Sequence, residues 1–229
     1  MNNTTDESLL AWEANADYWD EKMGDNSNAF HRELVRPYTE KLLEIKSGDF
    51  VLDIACGTGN FTQRIVELGA RAVAFDYSPK MIAHAKRRRS HILHNAEFVV
   101  CDATDSAQLS QLKRKNCFTK AVSNMAVMDI ADINPLFFGV YELLCRNGIF
   151  VFTTHHPCFT YPHGQYLSSC IHKDTAIAGQ PVLQNYYHRS LQEILGSAFA
   201  AGFVMDALHE TADDDPEIPR IITIRLRKC

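Results

Sequence analysis

Asp53, Asp76 and Asp102 each end a short apolar run, and they stand 23 and then 26 residues apart. The first run passes straight into Asp53-Ile54-Ala55-Cys56-Gly57-Thr58-Gly59. Gly57 and Gly59 let the backbone turn tightly and let a ligand approach the main chain. A dinucleotide turn would carry a third glycine where this chain has Thr62, and would set a pyrophosphate at the helix start. Asp53 opposes that, because a carboxylate beside a pyrophosphate is repelled. It favours a cationic ligand, such as one with an ammonium and a sulfonium. Asp76, at the tip of the second run, can accept from both hydroxyls of a ribose. Asp102, at the third, can accept from the exocyclic amine of an adenine.

A second group follows the fifth apolar run: His155, His156, Cys158, His163, Cys170 and His172. Imidazoles titrate near neutral pH, so His156 is the expected general base and His155 an expected substrate contact. The spacing matches no compact ligand pair and no C-x-x-C anchors it, so no metal is expected. Aromatic residues supply the other candidates. Tyr18 and Trp19, with His31 and Arg32, would form a lid, while Tyr161, Tyr166, Tyr186, Tyr187 and His188 would line a substrate pocket. Arg189 reads either as a carboxylate anchor or as a surface charge. The run Lys86–Arg89 reads as a solvated complement to a helix C-terminus, and Asp213–Asp215 as a solvated loop.

Alternation of strand and helix must position these groups. FVLDIA (50–55), RAVAF (71–75), FVVC (98–101), KAVSNMAV (120–127) and IFVFTT (149–154) read as strands, with helical patterns between them. Ser78-Pro79 is a helix start and Asn147-Gly148 a helix stop. Such alternation makes a doubly wound α/β sheet, parallel and joined by right-handed crossovers. In that architecture ligands bind beyond the carboxyl ends of the strands, where all three aspartates fall. Residues 1–46 are expected to be a helical lid. Residues 155–189, broken by Pro157, Pro162, Gly164, Gly179 and Pro181, are expected to be an insertion on the substrate side. A helix over about 190–201 and a closing hairpin of 203–210 with 220–226 complete one domain, 1–229.

The net charge of −5 argues against nucleic acid as the main partner. No apolar run reaches the ~20 residues that span a bilayer, and the polar, acidic start lacks the pattern of a signal peptide. Seven cysteines, an odd number with no C-x-x-C, read as reduced thiols in a cytoplasmic protein.

In its motifs the chain resembles a class I S-adenosylmethionine-dependent methyltransferase of the type-11 group, over about residues 45–155. VLDIACGTGNF resembles the glycine-rich first motif, with Asp53, Ala55, Gly57 and Gly59. AFDYSPKMIAHAK resembles the second, with Asp76, Tyr77 and Met81, and FVVCDATD the third, with Asp102 and Ala103. VSNMAVMDIAD resembles the fourth, with Asn124 and Met125 beside the methionyl part. The resemblance implies a seven-stranded sheet of order 3-2-1-4-5-7-6 with the last strand antiparallel. It implies S-adenosylmethionine as cofactor, S-adenosylhomocysteine as product, and methylation of an O or N atom, less readily C, of a small molecule. The family's catalytic residues vary with substrate and are not carried over. Pro157-Cys158 invites comparison with cytosine-C5 enzymes, yet no basic surface accompanies it. The D/N-P-P-Y/F run of adenine-N6 enzymes is replaced by Ser123-Asn124-Met125-Ala126. The rival expectations are an NAD(P)-dependent oxidoreductase and a protein that binds S-adenosylmethionine without transferring its methyl group.

Overall fold

The computed structural model describes residues 3–160 and 165–229. Helix α1 (Asn3–Met23), a π turn (Phe30–Val35) and α2 (Arg36–Leu43) precede the first strand. Strands and helices then alternate: β1 (Phe50–Ile54), α3 (Asn60–Glu67), β2 (Arg71–Asp76), α4 (Pro79–Arg88) and β3 (Ala96–Val100). They continue through α5 (Ser106–Gln111), β4 (Phe118–Asn124), α6 (Asn134–Leu143) and β5 (Leu144–His155). After the four-residue helix α7 (Pro157–Thr160) come β6 (Cys170–Asp174), β7 (Gln184–His188), α8 (Leu191–Ala200), β8 (Phe203–Ala212) and β9 (Pro219–Lys228).

The main sheet runs β3-β2-β1-β4-β5-β9-β8, with β1 to β5 parallel and β9 antiparallel to both its neighbours. Counted along this sheet alone, that is the expected order 3-2-1-4-5-7-6. Both faces are covered, so the central strands β1 and β4 are buried at most positions. On β1, Leu52 and Ile54 face one core with Phe75, Phe137, Phe150 and Phe152. Val51 faces the other with Ile65, Ala74, Ile82 and Val122. Asp53 shares the Val51 face by strand alternation, which aims its carboxylate at α3.

The segment 155–189 is more ordered than its proline and glycine content implies. β6 and β7 pair as a hairpin with Ile171 opposite Tyr187. The hairpin is tied to α1: the Asn15 amide donates to Val182 O at 2.8 Å, and the Tyr18 hydroxyl to Ala178 O at 2.6 Å. Ser8 Oγ and the Tyr187 hydroxyl are 2.9 Å apart.

Two readings of the sequence are corrected. Arg89 is not a solvated helix-end charge; it is 1% exposed. Its guanidinium donates to Thr58 O, Asp25 O, Gly24 O, Gln63 Oε1 and Asn60 Oδ1. Arg87 and Arg88 meet the buried Asp20 of α1. Carbonyls left over at the end of α1 and around the glycine turn need donors, and a guanidinium reaching in from α4 supplies them. Nor are all seven thiols reduced, because Cys117 and Cys145 form a disulfide. They stand where the adjacent strands β4 and β5 begin, Cα atoms 5.1 Å apart, a proximity that their 28-residue separation conceals.

Candidate active site

The turn after β1 is held in a conformation that few side chains adopt. Ala55, Gly57 and Gly59 have φ of 51°, 54° and 74°. Left-handed backbone at Ala55 carries a steric cost, and such positions persist where surrounding contacts over-determine them. The Cys56 N–H donates to Phe75 O at 2.9 Å and the Gly57 N–H to Asp76 Oδ2 at 2.9 Å. Asp76 Oδ1 takes the Ser78 N–H at 3.0 Å. One carboxylate therefore fixes the tips of two neighbouring strands. Ser78 also caps α4 by accepting the Met81 N–H at 3.1 Å. Asp53 Oδ2 accepts the Thr62 hydroxyl at 2.6 Å, the residue standing where a dinucleotide fold would have glycine. Asp102 Oδ1 accepts both the N–H and the hydroxyl of Thr104, at 2.8 and 2.9 Å. Beyond β4, Asn124 Oδ1 accepts the Thr39 hydroxyl at 2.9 Å, and Met125 is also left-handed, φ 52°, its N–H donating to Thr153 O.

These strand tips open into one cleft of about 1220 Å³ counted out to its mouth. Asp53, Ala55 and Gly57 line it from the first turn, Asp76, Tyr77 and Met81 from the second, Asp102 and Ala103 from the third, and Asn124 and Met125 from the fourth. Gly59 does not line it. A Cβ there would lie 2.9 Å from the Phe98 ring and 3.1 Å from Arg89 Cγ, so this glycine serves packing and turn geometry instead of ligand contact. Burial is the main cause that raises Asp53 to about 7 and Asp76 to about 6, with Asp76 adding repulsion to Asp53. Asp129, which also lines the cleft, is raised for the same reason.

Several lining residues lie outside the set expected from the sequence. Trp12, Met23 and Arg36 come from the N-terminal helices, and Arg36 is the one lysine or arginine in the cleft wall among the described residues. No local pattern marks Arg36; only packing of α2 over the sheet brings it there. Asp129 lay in view as an acid shortly after strand four. A second cavity, about 1790 Å³ out to its mouth, shares Trp12, Trp19, His31, Met125 and Asp129 with the first and adds His155, His172 and Tyr186.

Of the expected lid and substrate residues, Trp19, His31, His155 and Tyr186 line a cavity. The others that the structure describes do not. Tyr18 bonds the hairpin, Arg32 donates to Ser27 O, Tyr187 packs on α1, and His188 Nε2 lies 2.9 Å from Tyr166 O. Tyr161 and His163 fall outside the described residues. His156, the expected base, is buried away from both cavities. Its Nδ1 accepts the Cys158 N–H and its Nε2 lies 2.9 Å from Glu210. Strand alternation sends His155 and His156 to opposite sides, so only one can face the ligand. Arg189 is neither anchor nor surface charge. It is buried and donates to the carbonyls of Val127, Ile130 and Ala131, bracing the loop after β4.

The donor set suits an adenosyl sulfonium compound. Carboxylates at three successive strand tips offer acceptors for an amine and for paired hydroxyls, while a pyrophosphate would meet like charge at each of them. A sheet in this order, with its acidic crevice at the first three strand tips, has the architecture of the class I methyltransferase fold.

Residues 45–195 match the family profile of a methyltransferase domain, and the chain belongs to that family. The matched profile is the domain numbered 31, while the motifs resemble the type-11 group. Among curated relatives, an uncharacterised protein of Methanocaldococcus jannaschii is 34% identical over 55% of this chain and 44% of its own length. A 23S rRNA (uracil(1939)-C(5))-methyltransferase of Nitrosococcus oceani is 37% identical over 39% of this chain and 20% of its own. A malonyl-[acyl-carrier protein] O-methyltransferase of Serratia marcescens is 27% identical over 53% and 45%. The chain thus spans less than half the length of each. An S-adenosylmethionine-dependent methyltransferase of Mesorhizobium loti has a TM-score of 0.69 at 23% identity, over 84% of this chain and 96% of that one. The DhpI complex with S-adenosylhomocysteine has a TM-score of 0.66 at 19% identity, over 100% and 98%. At these identities the likeness is one of fold. No helix among the described residues is long and apolar enough to cross a membrane.

Proposed function

We propose that the protein transfers the methyl group of S-adenosylmethionine to an O or N atom of a small molecule by in-line displacement. The observation that carries this reading is the convergence of Asp53, Asp76 and Asp102 on one cleft. Asp76 would hold the ribose hydroxyls, and Asp102 with the Ala103 N–H the adenine edge. Asp53 would favour the ligand's positive end. Arg36 is suited to its carboxylate, a role no acidic strand tip can fill. When bound, the sulfonium supplies a methyl carbon already activated toward a nucleophile. The residues around it have mainly to align the acceptor and exclude water, and alignment alone is worth several kcal/mol. Trp12, Trp19 and Met23 of α1 cover the cleft, which supports the lid reading of residues 1–46. Carboxylates and neutral aromatic groups in both cavities suit a small acceptor better than a phosphate backbone.

Thermal unfolding with S-adenosylmethionine, S-adenosylhomocysteine, NAD and NADP tests the cofactor. The first two should stabilise, by about 2.7 kcal/mol at a hundredfold excess over Kd. Stabilisation by NAD alone would install the oxidoreductase reading in its place. Asp76→Ala should lose most of the affinity for S-adenosylhomocysteine, since it also frees the Gly57 and Ser78 N–H groups. A screen of metabolites with labelled methyl donor then separates transfer from mere binding.

A further inference from the structure

The second cavity meets the cofactor cleft at Asp129 and His31, which line both. Asp129 ends a short 3₁₀ turn, Val127–Asp129, beyond β4. Its Oδ1 accepts the amide of the buried Gln184 at 3.2 Å, while Oδ2 meets no hydrogen-bond partner among the described residues. The second cavity's wall, among the described residues, carries more carboxylates than cations. No lysine lines the second cavity among the described residues. Its arginine, Arg220, is paired with Asp213 and lies over the Phe30 ring at 5.2 Å, whereas Glu33 and Asp174 add negative charge. Burial lowers His31 and His155 to about 4 and His172 below its usual range, so all three imidazoles are uncharged at neutral pH. Asn28 Oδ1 receives the His31 N–H and lies 2.8 Å from His31 Nδ1, which assigns the ring proton to Nδ1 and leaves Nε2 an acceptor. Trp12, Trp19 and Tyr186 supply ring faces for an apolar body and for a cation.

We propose that the methyl acceptor is an amine on an aromatic body, seated in the second cavity with its nitrogen against Asp129. The inference rests on the methyl-transfer reading above. The acceptor enters as an ammonium and gives one proton to the Asp129 carboxylate, whose burial makes it a better proton acceptor than a solvated acid. The freed lone pair forms the N–C bond to the methyl carbon, and the C–S bonding pair remains on sulfur. The product leaves as the methylated ammonium, and Asp129 returns its proton to solvent. Carboxylate acceptors are excluded by the wall's charge, and an alcohol would leave Asp129 without its ion pair.

Calorimetry on the protein saturated with S-adenosylhomocysteine tests this with three matched probes: 2-phenylethylamine, 2-phenylethanol and 3-phenylpropionate. The amine should bind at least about tenfold more tightly than the alcohol, and the carboxylate most weakly. Asp129→Asn should bring the amine down to the alcohol. Equal or tighter binding of alcohol or carboxylate overturns the proposal, as does a preference for amine that survives Asp129→Asn. The native-protein series decides alone should that variant not fold. Failure to bind S-adenosylhomocysteine at all overturns the methyl-transfer reading together with this one, whereas cofactor binding without amine preference overturns only this one.

Discussion

Replacing Asp53 with asparagine should remove most of the pH dependence of S-adenosylmethionine binding. Asparagine keeps an oxygen for the Thr62 hydroxyl, so the change is mainly one of charge. Asp53 titrates at about 7 because burial disfavours its anion, and Asp76 at about 6 for the same reason. The ligand's sulfonium charge does not titrate, so a ligand that requires the anion gains affinity as these groups ionise. Between about pH 6 and about pH 7.5 the Asp53 contribution is about eightfold, and Asp76 adds about twofold. Native protein should therefore bind about sixteenfold more tightly at the higher pH, and Asp53→Asn only about twofold. Titration calorimetry at the two pH values measures both, and two buffers of different ionisation heat should reveal proton release by the native protein near pH 6. The linked stability has the opposite sense. The folded chain holds protons that the unfolded chain, with carboxyls near 3.8, has already lost, so ligand-free stability should fall as pH rises from about 4 to about 7. Equal affinity at both pH values in native protein would refute this reasoning, as would an undiminished slope in the variant.

Gly59→Ala should cost about 1–3 kcal/mol in denaturant unfolding, since φ is +74° and the new methyl meets the Phe98 ring and Arg89. Cofactor affinity should change little in protein that remains folded, because Gly59 lies outside the cleft wall. Arg89→Met should destabilise by about 3–5 kcal/mol, because it strands the carbonyls of Gly24, Asp25 and Thr58; an unaltered Tm would show that water replaces the guanidinium. His156→Ala should leave kcat within about twofold on whatever acceptor is found, since the ring reaches neither cavity, while Tm falls with loss of the Glu210 and Cys158 contacts. A large drop in kcat would restore it as a base.

Much of this protein is written locally. Strand and helix periods follow side-chain alternation, and a doubly wound sheet places the carboxyl tips of its parallel strands on one edge, so Asp53, Asp76 and Asp102 are legible as a set in the sequence. The glycine turn was legible too, because only residue type and spacing are needed to recognise it. Histidine roles were not. His155 and His156 are neighbours in sequence, yet a strand turns them to opposite sides, and pleat and sheet position decide which one faces ligand.

Arg36, Asp129, Arg89 and the Cys117–Cys145 pair depended on tertiary structure. Each acts through partners far along the chain: an N-terminal helix folded over the sheet, Gln184 in the hairpin, carbonyls at Gly24 and Asp25, a neighbouring strand's first residues. Local sequence fixes backbone period and the chemistry of a turn, because both are set by a few adjacent residues. Which charges are buried, and against what, is a sum over distant segments that only the packed chain performs.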